Sequence, residues 1–113
     1  MIDVDKIHRV LANPVRRDIL RWLKDPAAHF PGSPFLHLHT DGVPIGTIHA
    51  RIDLSQSTVS AHIAALTQAG LLKMHRVGQW VLVTRDEETI RRFVAALTEE
   101  LTEELSANVA PAR

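Results

Sequence analysis

The chain has 113 residues, 45% of them hydrophobic and 23% charged, with 13 basic and 13 acidic side chains and a formal net charge of zero. That length reads as one globular domain able to bury its own core, and the absence of Cys excludes disulfides, thiolate metal sites and Cys nucleophiles, leaving His and carboxylates as the strong metal ligands. No apolar run approaches a membrane span, and Met1 to Lys6 alternates acidic with apolar residues where a secretory leader is basic and then apolar, so a cytoplasmic protein without a membrane partner is expected.

Ile7, Val10 and Leu11 fall at helical spacing and predict a first helix over Ile2 to Leu11. Asn13-Pro14 then reads as an N-cap followed by proline at the first helical position. The helix it opens runs to about Lys24, with Val15, Ile19, Trp22 and Leu23 inward and Arg16, Arg17, Asp18, Arg21 and Lys24 on a mostly basic outer side. From 25 to 43 come Pro26, Pro31, Gly32, Ser33 and Pro34 together with His29, His37 and His39, which predicts a long loop insert with a short strand at Phe35 to His39.

Pro44 opens a short helix carrying Ile45, Ile48 and Ile52 on one face and stopping at Asp53-Leu54. Ser55 is placed to cap the next helix, where Val59, Ile63 and Leu66 recur at helical spacing and Gly70 ends the run. Two helices joined this closely make 44–70 a helix-turn-helix pattern. Leu71 to Arg76 and Trp80 to Thr84 are strand-like on either side of Val77-Gly78-Gln79, so 71–84 reads as a hairpin, or wing. Thr84-x-x-Glu87 reads as a capping box for a last helix over 85–107, through Ile90, Phe93, Val94, Leu97, Leu101 and Leu105. A helix of about 33 Å exceeds what one small core needs, and the excess predicts a seam with a second copy of the chain.

Position makes the zero net charge informative. From Leu54 to Arg85 there is no acidic residue, while His62, Lys73, His75, Arg76 and Arg85 fall inside that stretch; Glu99, Glu100, Glu103 and Glu104 lie at the far end. A basic face balanced by an acidic distal end orients a molecule on a polyanion. Gln56, Ser57, Thr58 and Ser60 crowd hydroxyl and amide groups onto the first turns of a helix, where they reach phosphates and base edges when the helix enters a major groove. Capping and solvation alone are the plainer reading of those residues, and it loses weight beside the preceding turn and the basic hairpin.

Asn13-Pro14 with Arg16-Arg17-x-Ile19-Leu20, then LSQSTVSAHIAALTQAGLL from Leu54, then Arg76-x-Gly78-Gln79-Trp80, resembles the arsenic-repressor (ArsR/SmtB) family over nearly the whole chain. The resemblance implies a mainly α fold with a β-hairpin, a winged helix-turn-helix of order α-α-α-α-β-β-α that dimerises through its first and last helices. It implies a sequence-specific DNA-binding transcriptional regulator, not an enzyme: a repressor that binds a palindromic operator as a homodimer and is released by an effector the sequence does not name. Half-sites about one helical turn apart are then expected. Carried onto this chain, the family's DNA-reading positions are Gln56, Ser57, Thr58 and Ser60 with His62 beside them, and Arg76 and Gln79 on the wing. The dimer seam falls to Ile7, Val10, Val94, Leu97, Leu101 and Leu105. Three departures stand out: Ala61 where relatives carry a long polar side chain, Asp53 where the turn usually has Gly, and the long insert, whose Asp41-Gly42-Val43 matches one branch of the family.

The family's metal motifs are not intact. The helix after Pro44 offers only His49, and the last helix places Asp86, Glu88, Glu99 and Thr102 at the corresponding positions, without an imidazole. No cofactor is expected; the remaining metal reading is a local Zn²⁺ site of His37 and His39 completed by His29, Asp41 or His49. Two other function classes compete. A winged-helix module that binds protein without specific DNA binding would keep the seam but not need Gln56, Ser57 and Thr58. A hydrolase built on His37, His39 and Asp41 lacks any nucleophile elbow or phosphate loop.

Overall fold

The computed structural model describes residues 2–33 and 42–102. Over these the chain runs α1 (Val4–Leu11), α2 (Pro14–Lys24), α3 (Pro26–His29), β1 (Val43–Pro44), α4 (Ile45–Arg51), α5 (Gln56–Gln68), β2 (Leu72–Val77), β3 (Trp80–Arg85) and α6 (Glu87–Leu101). The expected winged helix-turn-helix is present, with one short helix and one strand more than the expected order.

Local chemistry explains most of the boundaries. Asp3 caps α1 by accepting from the Lys6 N–H at 3.0 Å, and Asn13 Oδ1 caps α2 by accepting from Val15 N–H at 2.8 Å and Arg16 N–H at 3.2 Å. α5 ends as its sequence dictates: Gly70 takes φ +86°, Leu71 N–H donates to Leu66 O at 3.0 Å and Gly70 N–H to Thr67 O at 3.0 Å, the paired bonds of a Schellman stop. Gly78 supplies the positive φ, +61°, of a two-residue link between β2 and β3.

β1, β3 and β2 form one antiparallel sheet in that order. Val77 pairs with Trp80 and Leu72 with Arg85 along the hairpin, while Val43 and Pro44 pair with Val83 and Leu82. Because partners across a ladder share a face, Leu72, Val83 and Val43 together turn one side of the sheet into the core. There they meet Val59, Ile63 and Leu66 of α5, Ile19 of α2, Ile48 of α4, Ile7 of α1 and Phe93 of α6. Each such aliphatic side chain, withdrawn fully from water, contributes about 1.5–3 kcal/mol, so α5 is seated by the core along one whole face.

The beginning of the insert is structured. Pro26 starts the single turn of α3, and Phe30 is buried edge-on against Trp22, ring centroids 6.3 Å apart. Arg51 of α4 lies 4.3 Å over the Trp22 ring and donates to His29 O at 3.1 Å. These contacts tie α3 to both α2 and α4. The expected strand at Phe35 to His39 lies outside the described residues.

One expectation about the last helix is corrected. Its N-cap is Asp86, whose carboxylate accepts from Thr89 N–H at 3.1 Å, not Thr84; β3 continues to Arg85, which keeps Thr84 in the ladder opposite Lys73. The helix is described as far as Leu101, with Thr102 extended (φ −134°, ψ 159°), and the expected end near residue 107 lies outside the described residues. Glu99 and Glu100 oppose the helix dipole in the last turn, which holds no basic residue, and β-branched Thr98 and Thr102 turn their hydroxyls onto the carbonyls four residues back, at 2.8 Å each. Leu105 lies outside the described residues. No helix among the described residues is long and apolar enough to cross a membrane.

Candidate nucleic-acid interface

The turn between α4 and α5 is tight. Ile52 leaves α4 in an extended conformation (φ −108°, ψ 129°), and Leu54 N–H donates back to Ile52 O at 2.9 Å across Asp53. Ser55 then caps α5, its Oγ accepting from Thr58 N–H at 3.2 Å. The same hydroxyl donates to Thr58 Oγ1 at 2.8 Å, which commits its one proton, so Ser57 is the donor in the 3.2 Å contact between their oxygens. Thr58 therefore keeps a proton to offer outward, Ser57 keeps acceptor lone pairs, and Gln56 has both. All three are exposed, on a first turn with no acidic residue at the positive end of a helix dipole.

Ser60 and His62, the other two residues of α5 expected at the DNA face, lie on the flanks of the helix. Ser60 Oγ lies 3.0 Å from His49 Nε2 on α4, and His62 Nδ1 accepts from Arg16 Nε on α2 at 3.0 Å. The helical period accounts for this, because both positions border the buried stripe of Val59, Ile63 and Leu66. The outward stripe is Ser57, Ala61, Ala64 and Gln68, all exposed. With two alanines at its middle, nothing long holds the helix axis away from a groove.

Burial, and secondly the Arg16 charge, hold the His62 imidazole below its ordinary pKa. The ring is therefore neutral at pH 7, protonated on Nε2 and free to accept at Nδ1. Because the unfolded chain takes up a proton near the ordinary imidazole value and the folded chain does not, stability from this site is complete above that value. It is lost as pH falls below it toward the folded pKa. An NMR titration is expected to place the His62 ring midpoint below 6.5, and to move it only part of the way back in Arg16→Gln, since burial is the larger cause. A midpoint at or above the ordinary value contradicts the Arg16 contact.

On the hairpin, Arg76 pairs with Val81 across the ladder and is exposed, as are Gln79 in the link and Lys73 and His75 on the opposite face. Arg76 and Met74 continue, beyond the core, the side of the sheet that holds Leu72 and Val83. Arg85 does not join this surface. Its guanidinium is bound to both carboxylate oxygens of Glu87, at 2.8 and 3.1 Å, and to Leu20 O at 3.0 Å.

The seam residues divide. Val94 and Leu101 are 52% and 70% exposed, whereas Ile7 and Val10 are 0% and 8% exposed, inside the protomer's own core. They are corrected from seam to core: α1 lies against both α2 and α6 and its apolar stripe is covered internally. Leu97 is half-buried against the same core. Of the metal candidates, His29 is half-buried, while His37, His39 and Asp41 lie outside the described residues; among the described residues no three His, Asp or Glu side chains gather as a metal would require. Sequence reading also misses an apolar cleft of about 480 Å³ between the start of α4 and the hairpin, lined by Pro44, Ile45, Thr47, Ala50, Gln79 and Trp80. It exists because β1 pairs with β3, and nothing local to Val43-Pro44 signals that pairing.

A capped helix reached through a tight turn, seated on a core and flanked by an exposed hairpin, defines a winged helix-turn-helix protein. A helix-turn-helix domain family model matches residues 35–75, and the HTH-type transcriptional regulator YbzH of Bacillus subtilis (strain 168) is 34% identical over 96 residues, covering 85% of this chain and 96% of that protein. The chain belongs to the family of HTH-type transcriptional regulators that includes this B. subtilis protein. In fold it is similar to an ArsR-like transcriptional regulator from Rhodococcus sp. RHA1 (TM-score 0.64, 18% identity, 94% of this chain and 85% of that one). It is also similar to the homodimeric winged helix-turn-helix DNA-binding domain of a possible ArsR-family regulator from Mycobacterium bovis (TM-score 0.57, 24% identity, 90% and 81%).

Proposed function

We propose that this protein regulates transcription by binding double-stranded DNA as a homodimer, with the start of α5 in the major groove and the hairpin along the adjoining backbone. The observation that carries this reading is the acid-free first turn of α5, where Gln56, Ser57 and Thr58 are exposed together, beside a hairpin that exposes Arg76 and Gln79. The B. subtilis relative is named a transcriptional regulator and the M. bovis neighbour a homodimeric DNA-binding domain, which supports the same conclusion. Exposed Val94 and Leu101 on α6 offer apolar surface for the second copy. A two-fold dimer matches a palindromic site; the reading is completed as a cytoplasmic repressor that leaves its operator when an effector favours a DNA-incompetent dimer. No metal is part of it.

The test compares Gln56→Ala with Arg76→Ala on a duplex selected from a random-sequence library and on single-base variants of it. Gln56→Ala is expected to lose discrimination at one position of each half-site, by about 1–3 kcal/mol. Arg76→Ala is expected to weaken binding to every duplex nearly equally. Met74 and Val77, exposed at 43% and 42% on the hairpin, favour a second reading, a winged-helix module for a protein partner. Under it, both variants select and bind no duplex differently from the wild type.

A further inference from the structure

We infer that Arg16, in the first turn of α2, is a contact to the nucleic-acid backbone, and that His62 of α5 is its positioning residue, acting on the nucleic acid through Arg16 instead of touching it. This rests on the DNA-binding reading above and adds to it a residue on a different helix.

The starting point is a deficit. α5, QSTVSAHIAALTQ, contains no Lys, Arg, Asp or Glu, so the charge that neutralises phosphates next to it comes from its neighbours. Arg21 is paired with Asp18 and Arg85 with Glu87, while Arg17 keeps its charge but turns its guanidinium back to the Leu11 carbonyl at the end of α1. Arg16 is different. It is half-buried, it forms no ion pair among the described residues, and its side chain is tied to α5 itself by the 3.0 Å bond from Nε to His62 Nδ1.

That bond has the right chemistry to orient a cation without cancelling it. A carboxylate at the position of His62 would fix Arg16 equally well and neutralise it. A neutral imidazole accepts one N–H and leaves the full charge, and burial together with the Arg16 charge keeps His62 neutral at pH 7. Fixing Nε sets the plane of the guanidinium, and the four N–H bonds of its two terminal nitrogens remain for the planar recognition of phosphate oxygens. His62 lies one helical turn after Thr58 on the same flank of α5, so the fork stands beside the hydroxyl-lined start of the helix. α2 contributes the cation and α5 aims it.

The alternative is a plain tie between α2 and α5, and the salt dependence of binding separates the two. Fluorescence anisotropy of the full chain on a labelled mixed-sequence duplex is measured between about 50 and 200 mM salt, with thermal midpoints read in parallel. Arg16→Gln is expected to flatten the slope of log K against log salt by about 0.9 for each protomer on the duplex. His62→Leu is expected to weaken binding, and His62→Gln, whose amide oxygen can still accept from Nε, to restore it. Arg16→Lys keeps the charge without the fork and is expected to keep the slope at reduced affinity. An unchanged slope in folded Arg16→Gln overturns the proposal. Should that variant fail to fold, wild-type affinity in either Arg16→Lys or His62→Leu overturns it. A wild type with no salt-dependent binding at all overturns the DNA-binding reading itself.

Discussion

Ile63→Ala is expected to lower the free energy of unfolding by about 3–4 kcal/mol, the largest effect of any single substitution considered. Ile63 is 1% exposed, at the middle of the buried stripe of α5 between Val59 and Leu66, and core elements from α1 to α6 share that cluster. Truncation removes the transfer free energy of three carbons and leaves a void that these elements cannot all close, since each is held elsewhere by its own caps and contacts. Against a total stability of about 5–15 kcal/mol for such a domain, a large fraction is lost. Urea unfolding of Ile63→Ala beside Ala64→Ser, one residue further round on the exposed stripe, is the measurement. A loss below about 1 kcal/mol for Ile63→Ala contradicts the seating of α5 described above. Weak DNA binding by this variant, restored by cooling or by stabilising solutes, identifies the loss as one of folding and not of contact.

Gly42→Ala is expected to cost about 2–3 kcal/mol, although the residue touches no candidate DNA contact. Gly42 has φ +121°, and a Cβ placed on it meets Val83 O at 2.7 Å and Thr84 Cγ2 at 2.8 Å. The first of these atoms is backbone of β3, in the ladder that pairs Val43 with Val83, so it cannot be relieved by a rotamer change. Either β1 shifts away from β3 or the strain remains. Because α4 begins directly after β1, a shift there moves the helix that holds Ser60 through His49. Gly78→Ala is the internal comparison. Its φ is also positive, +61°, but nothing lies within 4 Å of the added carbon, so only the left-handed penalty of about 1 kcal/mol is expected. Thermal unfolding that ranks Gly78→Ala as the more damaging contradicts the β1–β3 register.

What was legible in the sequence was whatever is written within one or two turns of chain. Asn13, Ser55 and Gly70 end or begin helices through atoms a few residues away, and Val59, Ile63 and Leu66 announce their buried face by period alone. Gln56, Ser57 and Thr58 were readable for the same reason, since a helix start exposes its own first side chains. Val43-Pro44 was not readable as a strand, because two residues carry no alternation and their partner β3 lies far along the chain. Thr84 and Asp86 are both good caps, and only the pairing of Leu72 with Arg85 decides between them. Ile7 and Val10 show that an amphipathic stripe is blind to what covers it: the same spacing serves a core or a seam. The contacts of Ser60 with α4 and of His62 with α2 were not readable, because they depend on partners 11 and 46 residues away.

The placement of α5 in a major groove is tested most directly by dimethyl sulfate footprinting of the duplex selected by the wild-type protein, because the reagent methylates guanine N7 in the major groove and adenine N3 in the minor groove. A dimer reading through the start of α5 protects guanine N7 in two clusters about 10 base pairs apart, and Gln56→Ala removes or shifts those clusters. Protection confined to adenine N3, or a bound complex with no N7 protection at guanines within the site, contradicts it.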